Sequence, residues 1–296
     1  MALRSLSRTA PMPVASTGDS PVELHMLVCQ RDVQLAVLAT KSFLRFVDSP
    51  ISVAFTSDGS VTPTERMWIS THIPGARWLE RRSCQPYLDT QRYPRLAKLY
   101  ETNYHPLCKL LHPPLLSPAE KVLILDPDTA FFRRPDKLLS WVNGSQPGSL
   151  FLHDHQEESV RVPAETREAF DELQKLLCVA GRPWLMPYYF FNSGLLAYHR
   201  EHVDLDAAES YLSWWEKAPG RYTTGKPGLW FGNWTPEQTC YQVIFATMIS
   251  PAIPLDDEYR LGGKPGHAFN HFLWLHLVKA ECLTRLRSLI KELAIA

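Results

Sequence analysis

The sequence predicts an α/β domain with a largely parallel sheet in its first half and a mixed arrangement in its second. Three observations carry this expectation. Strand-like and helix-like segments alternate from residue 23 to residue 125, the order that builds parallel sheets. Val122-Leu123-Ile124-Leu125 is an unbroken apolar run, the pattern of a strand buried on both faces. That run ends at Asp126-Pro127-Asp128, and open α/β sheets bind ligands at the carboxyl ends of their strands.

Each element has its own signal. Glu23–Cys29 reads as the first strand, and Asp32 is placed to cap a helix whose apolar stripe is Val33, Ala36, Val37, Leu44 and Val47. Ile51–Phe55 is a second strand, closed by the turn residues Ser57-Asp58-Gly59-Ser60. Thr62-Pro63-Thr64-Glu65 is a capping box with proline at the first helical position, so a helix starts there. A short strand falls near Ala76–Leu79. Helices near Pro94–Tyr104 and Pro106–Leu111 lead to the strand that carries Asp126. Then come a strand at Ser149–His153, a helix at Ala164–Cys178, a strand at Asn192–Tyr198 and an amphipathic helix at Val203–Trp215. Residues 218–234 form a Pro/Gly/aromatic loop of a length that is usually functional or disordered. Thr235-Pro236-Glu237-Gln238 opens a further helix with a second capping box. The chain closes with a strand near Phe272–Leu277 and a helix striped by Leu283, Leu286, Ile290 and Leu293.

At 296 residues, with 45% apolar and 21% charged side chains, the chain can bury a sizeable core. Its 31 basic and 31 acidic residues balance, and no basic block points to nucleic acid. Nine Trp and 24 Pro suggest aromatic-lined loops. None of the six cysteines forms a C-x-x-C pair. Cys29, Cys108, Cys178, Cys240 and Cys282 lie in apolar or helical contexts and read as buried thiols of a reducing, cytoplasmic protein. No apolar run has transmembrane length. Residues 1–20, with Arg4, Arg8 and many Ser, Thr, Pro and Ala, read as a disordered leader, with organelle targeting as the alternative.

Asp126 and Asp128 repel each other unless a positive charge lies between them. A divalent cation is the usual answer, and oxygen ligands suit Mg²⁺ or Mn²⁺. The competing reading is an ordinary turn with solvated carboxylates. The apolar lead-in, and Ala130-Phe131-Phe132 after the pair, favour the metal site. The glycine-rich stretch Leu261-Gly262-Gly263-Lys264-Pro265-Gly266 lacks the order of a phosphate-binding P-loop.

An Asp-x-Asp after a buried strand resembles the metal-dependent glycosyltransferases of the A-type nucleotide-sugar fold (GT-A). Further segments, in matching order over about residues 23–280, carry the resemblance. Cys29 and Gln30, after the first strand, resemble the nucleobase-binding entry, with Asp58 after the second strand either on the donor side or only in a turn. Lys109 matches a basic residue on the helix before the metal strand. Asn192-Ser193-Gly194 resembles the segment lining the donor-sugar pocket. Glu237-Gln238 resembles the acidic or amide pair beside the reacting sugar, although the helix dipole favours Glu237 there and Gln238 completes the capping box. Leu275-His276-Leu277-Val278-Lys279 resembles the closing element whose histidine completes the metal site and whose lysine meets the diphosphate.

The resemblance implies one GT-A-like domain over residues 21–296, with a nucleotide-binding half at 23–130 and an acceptor and sugar half at 131–296. It implies transfer of a sugar from a nucleoside-diphosphate donor, by default UDP-sugar, to an unidentified acceptor. Asp126, Asp128 and His276 would hold Mn²⁺ or Mg²⁺, with Asp126 shared with the ribose and Lys279 or Arg133 near the leaving diphosphate. A histidine ligand favours Mn²⁺. The chain departs from the pattern after His276, where Leu277-Val278-Lys279-Ala280 replaces glycine and further Lys or Trp, so His267 and His271 are rival ligands. Strand alternation puts His276 on the face opposite His271, and the apolar run Phe272-Leu273-Trp274-Leu275 before it, with Lys279 three residues after, favours His276. Two other readings stand beside this one. One is a haloacid-dehalogenase-type phosphatase with Asp126 as nucleophile and Asp256-Asp257 as a late metal pair, weakened by Ala130 where that motif has Thr or Val. The other is a non-catalytic relative that binds nucleotide or glycan.

Overall fold

A computed structural model describes residues 4–102, 104–153, 164–179, 191–217, 236–262, 264–272, 277 and 279–295. Its centre is a seven-stranded sheet in the order β3-β2-β1-β4-β7-β6-β8. Strands β1 (Val22–Val28), β2 (Ser52–Ser57), β3 (Arg77–Leu79) and β4 (Lys121–Leu125) run parallel to their neighbours. β7 (Phe191–His199) is antiparallel to both β4 and β6 (Ser149–His153), and β8 (Ala252–Pro254) returns parallel to β6. A second sheet joins β5 (Thr129–Phe131), β10 (Phe269–His271) and β9 (Tyr259–Leu261) in the order β5-β10-β9. The parallel first half and mixed second half match the sequence reading.

Helices cover both faces of the large sheet, as buried parallel strands require. In β4, Leu123 and Leu125 pack to one side and Val122 and Ile124 to the other. The first side is closed by α1 (Val33–Leu44), α2 (Pro63–His72), α5 (Asp136–Val142) and α9 (Ala280–Ile295). The second is closed by α3 (Pro94–Glu101), α4 (Leu107–Leu116), α6 (Ala164–Val179), α7 (Leu205–Lys217) and α8 (Pro236–Thr247). The Thr62 capping box forms as expected, with Thr62 and Glu65 bonding each other's backbone N–H. Asp32 stands at the start of α1 but makes no capping bond, because Arg31 and the Cys29 thiol take its carboxylate. No helix among the described residues is long and apolar enough to cross a membrane.

β1 alternates apolar residues on one face with Glu23 and His25 on the other. Both polar side chains are buried and lie together, His25 Nε2 2.7 Å from Glu23 Oε2. The guanidinium of Arg77 forks onto the same carboxylate at 2.8 Å through Nε and Nη2. Burial opposes ionisation of Glu23, yet the bonds from His25 and Arg77 outweigh it and hold the carboxyl at about 2, against an ordinary 4.5. Burial also pushes His25 down, so the imidazole is neutral and Arg77 supplies the charge. A depressed carboxylate contributes its stability above the unfolded pKa and loses it as pH falls toward the folded one. The shift corresponds to roughly 3 kcal/mol. Urea unfolding from pH 5 to pH 2.5 should therefore show a steep loss in the wild type and a shallower one in Glu23→Gln. Equal slopes would contradict this.

The expectation of a disordered leader fails for residues 4–20. Arg4–Arg8 forms a 3-10 turn whose Leu6 is fully buried with α1 and α9. Met12, Val14 and Ala15 donate backbone N–H groups to the carbonyls of His72, Pro74 and Ile51, all at 2.9 Å. Buried Lys41 donates to Thr9 Oγ1 at 2.7 Å, to the Ala10 carbonyl at 2.5 Å and to His72 Nδ1 at 3.1 Å. Burial lowers Lys41 to about 8, so it is still mainly protonated at neutral pH. Burial and Lys41 lower His72 to about 4, which leaves Nδ1 able to accept. The strap's partners come from α1, from α2 and the turn after it, and from Ile51 just before β2, beyond the reach of any local pattern in residues 1–20.

The cysteines also differ from expectation. All six are free thiols; Cys178 is exposed on α6 and Cys29 is half-buried, whereas Cys84 is buried.

Candidate active site

The carboxylate pair follows β4 directly, at the carboxyl edge that β1 and β2 share with it. β7 runs the other way, so its N-terminal residues reach the same edge. Leu125 lies opposite Leu195, and Asp126 N–H donates to the Gly194 carbonyl at 2.9 Å. Thr129 Oγ1 donates to the Asp126 carbonyl at 2.7 Å and tightens the turn that presents Asp128. The chain then enters β5, which pairs with β10 in a register that sets His271 opposite Thr129. Phe272 N–H donates to the Asp128 carbonyl at 2.8 Å. This pairing delivers His271 to the carboxylates, with Nε2 3.2 Å from Asp128 Oδ1 and 3.7 Å from Asp126 Oδ2. One ligand atom from each of Asp126, Asp128 and His271 lies within 4.8 Å of the others.

His271 was a rival ligand in the sequence reading, behind His276. The expected strand at 272–277 instead ends at His271, and 273–276 lie outside the described residues, His276 with them. His267 is half-exposed and takes no part in the cluster. Lys279 is exposed just before α9, and among the described residues no contact joins it to the pair. Arg133 is ion-paired with Glu258 at 2.6 Å. The aromatic loop 218–234 and Thr235 of the second capping box also fall outside the described residues.

Helices α4 and α8 build the floor. Lys109 on α4 sends its buried ammonium to Asp126 Oδ1 at 2.7 Å and Ser193 Oγ at 3.1 Å, with Glu237 Oε1 at 3.7 Å. Burial works against its charge, but Asp126 and Glu237 outweigh it and hold Lys109 above its ordinary value. The Lys109 carbonyl accepts from Tyr241 on α8, whose hydroxyl also meets that of Tyr198 on β7 at 3.2 Å. Gln238 Oε1 accepts from Ser193 N–H at 3.2 Å, and Glu237 Oε2 lies 3.4 Å from Ser193 Oγ. Glu237 N–H donates to the Tyr104 hydroxyl at 3.4 Å. Asn192, Ser193, Gly194, Glu237, Gln238, Lys109, Asp126 and Asp128 thus form one cluster, joined by the rival ligand His271 and by Tyr104 and Tyr241, which local pattern does not single out. Cys29, Gln30 and Asp58 sit at the same sheet edge after β1 and β2. There Asp58 accepts from Ser60 N–H at 2.8 Å, an Asx turn, and Gln30 N–H donates to Ser60 Oγ at 2.8 Å.

The electrostatics suit a cation. Burial would raise Asp128, yet facing His271 holds it below its ordinary range; burial would lower His271, yet Asp128 and Asp126 hold it above its own. The two carboxylates thus draw positive charge to this place, whether a proton on His271 or a metal cation. A donor set of two carboxylate oxygens and one imidazole nitrogen fits Mn²⁺ better than Mg²⁺, which takes oxygen almost alone. Asp256 and Asp257, the late metal pair of the phosphatase reading, lie between β8 and β9 instead. They face Lys137 at 4.0 Å and Arg260 at 2.7 Å.

No protein-family model matches the sequence, and no curated protein matches it at the sequence level. Solved structures do match in fold. Mouse xyloside xylosyltransferase 1 superposes with a TM-score of 0.55 at 15% identity, over 90% of this chain and 99% of that one. The galactosyltransferase LgtC, solved with donor and acceptor sugar analogues, gives 0.53 at 13% identity over 92% and 95%. The mannosyltransferase Ktr4p of S. cerevisiae gives 0.50 at 14% identity over 86% and 76%. The chain has the GT-A fold of these glycosyltransferases, as its Asp-x-Asp motif led us to expect.

Proposed function

We infer that this chain is a glycosyltransferase that moves a sugar from a nucleoside-diphosphate donor, UDP-sugar in the first instance, to an acceptor nucleophile. The observation that carries the reading is the Asp126–Asp128–His271 cluster at the carboxyl edge of a sheet with this fold. Asp126, Asp128 and His271 would hold Mn²⁺, which when bound supplies charge for the departing diphosphate. The remaining roles belong to the chain's own residues. Lys109 sets a buried positive charge 2.7 Å from Asp126 and 3.7 Å from Glu237. Glu237, buried beside Ser193, offers a fixed negative charge to an oxocarbenium-like sugar. Gln238 anchors the Ser193 backbone and so the floor of the sugar seat. Removing the Glu237 charge with Glu237→Gln should lower kcat by about 10²-fold or more with a small change in donor KM. A change confined to KM would assign Glu237 to ground-state binding.

A melting panel tests the donor class. UDP, GDP, ADP and CMP, each with Mn²⁺, Mg²⁺ or EDTA, should give metal-dependent stabilisation by one nucleotide. A ligand at 100 times its Kd adds about 2.7 kcal/mol. No stabilisation by any nucleotide with either ion would contradict the reading. Binding without turnover of any nucleotide-sugar would favour the non-catalytic relative.

A further inference from the structure

We propose that Asn192 and Gly194 are positioning residues that lock His271 in the tautomer and orientation able to ligate a cation. This rests on the reading that Asp126, Asp128 and His271 form a metal site. Asn192 Oδ1 accepts the Gly194 N–H at 2.8 Å. A backbone N–H can only donate, so the amide atom at that place is the oxygen. The same oxygen lies 3.1 Å from His271 Nδ1. It has no proton to give, so Nδ1 carries one. In the neutral ring the lone pair then falls on Nε2, the nitrogen that faces Asp128 Oδ1 at 3.2 Å and Asp126 Oδ2 at 3.7 Å. Metal-bound histidines are commonly fixed in this way by an acceptor on their other nitrogen.

Gly194 completes the seat by lacking a side chain. A Cβ there would come within 2.3 Å of His271 Nδ1, 2.4 Å of Cε1 and 2.8 Å of Asn192 Oδ1. Its backbone is ordinary strand, so the demand is for space and not for a special φ. Asn192 and His271 are 5% and 4% exposed, so water does not replace the Asn192 oxygen. One strand segment, Asn192-Ser193-Gly194, therefore serves two partners: Ser193 meets Lys109 and Gln238, while its neighbours back the histidine. The Asn192 carbonyl is committed to the metal side, in contrast to a direct sugar contact.

Mn²⁺ titration followed by electron paramagnetic resonance, alone and with UDP, separates the possibilities. Asn192→Ala and Gly194→Ala should each weaken Mn²⁺ binding about 10- to 100-fold. Asn192→Asp, which keeps an acceptor at Nδ1, should stay within a few-fold of wild type. In the His271→Ala background Asn192→Ala should add nothing further. Melting temperatures confirm that each variant is folded. Normal Mn²⁺ affinity in Asn192→Ala, with affinity lost in His271→Ala, overturns the positioning role and leaves the metal site standing. Equal losses in Asn192→Ala and Asn192→Asp also overturn it. Wild-type affinity in both His271→Ala and Asp128→Ala, or no Mn²⁺ binding by the wild type, removes the metal site and the proposal together.

Discussion

Asp128→Ala should abolish Mn²⁺-dependent nucleotide binding and lower sugar transfer by on the order of 10³-fold or more. Asp128 is the carboxylate closest to His271, at 3.2 Å, and the turn after β4 and the first residue after β10 hold its backbone. The fold should survive. Asp128 sits beside a second carboxylate, and relief of that repulsion offsets part of the lost contact with His271. Calorimetry with UDP and Mn²⁺ reads the effect. Unchanged affinity in a variant that melts within a few degrees of wild type would refute the metal assignment.

Deleting residues 1–20 should cost about 3 kcal/mol of stability and lower Tm by roughly 5 °C. Exposing or losing a fully buried leucine such as Leu6 accounts for about 1.5–3 kcal/mol. Lys41 also loses its Thr9 and Ala10 acceptors, and a buried donor left without partners costs about 1–3 kcal/mol more. Freedom regained by the removed strap offsets part of the sum. The scale of Tm change follows from the size of the domain. A chain starting at Pro21 that melts with the full-length protein would show that the strap contributes nothing.

The contrast between what the sequence disclosed and what it hid follows from how local each signal is. Val122–Leu125 is apolar on both faces and ends in paired carboxylates, so strand, burial and site are visible in the seven residues 122–128. Lys109, Asn192–Gly194 and Glu237-Gln238 were legible because each sits at the end or start of a strongly patterned element. His271 was passed over for a different reason. β10 is three residues long and pairs with the edge that β5 offers; the longer apolar run after it drew the expected strand to start three residues too late. The useful signal was non-local: β5 begins at once after Asp128, so any strand paired with it delivers a side chain to the carboxylates. The leader was misjudged likewise, since one leucine and three backbone bonds to distant carbonyls leave no periodicity to read. Asp32 shows a local rule overridden, as an arginine and a thiol compete for its carboxylate.

The central claim is that Asp126, Asp128 and His271 serve the transfer of sugar from a nucleotide. Release of nucleoside diphosphate from a panel of nucleotide-sugars, followed with Mn²⁺ and with EDTA in wild type and Asp128→Ala, addresses it most directly. The account predicts release from one donor class by the wild type with Mn²⁺, and none with EDTA or in the variant. Release that persists in EDTA, or that Asp128→Ala leaves unchanged, would contradict it.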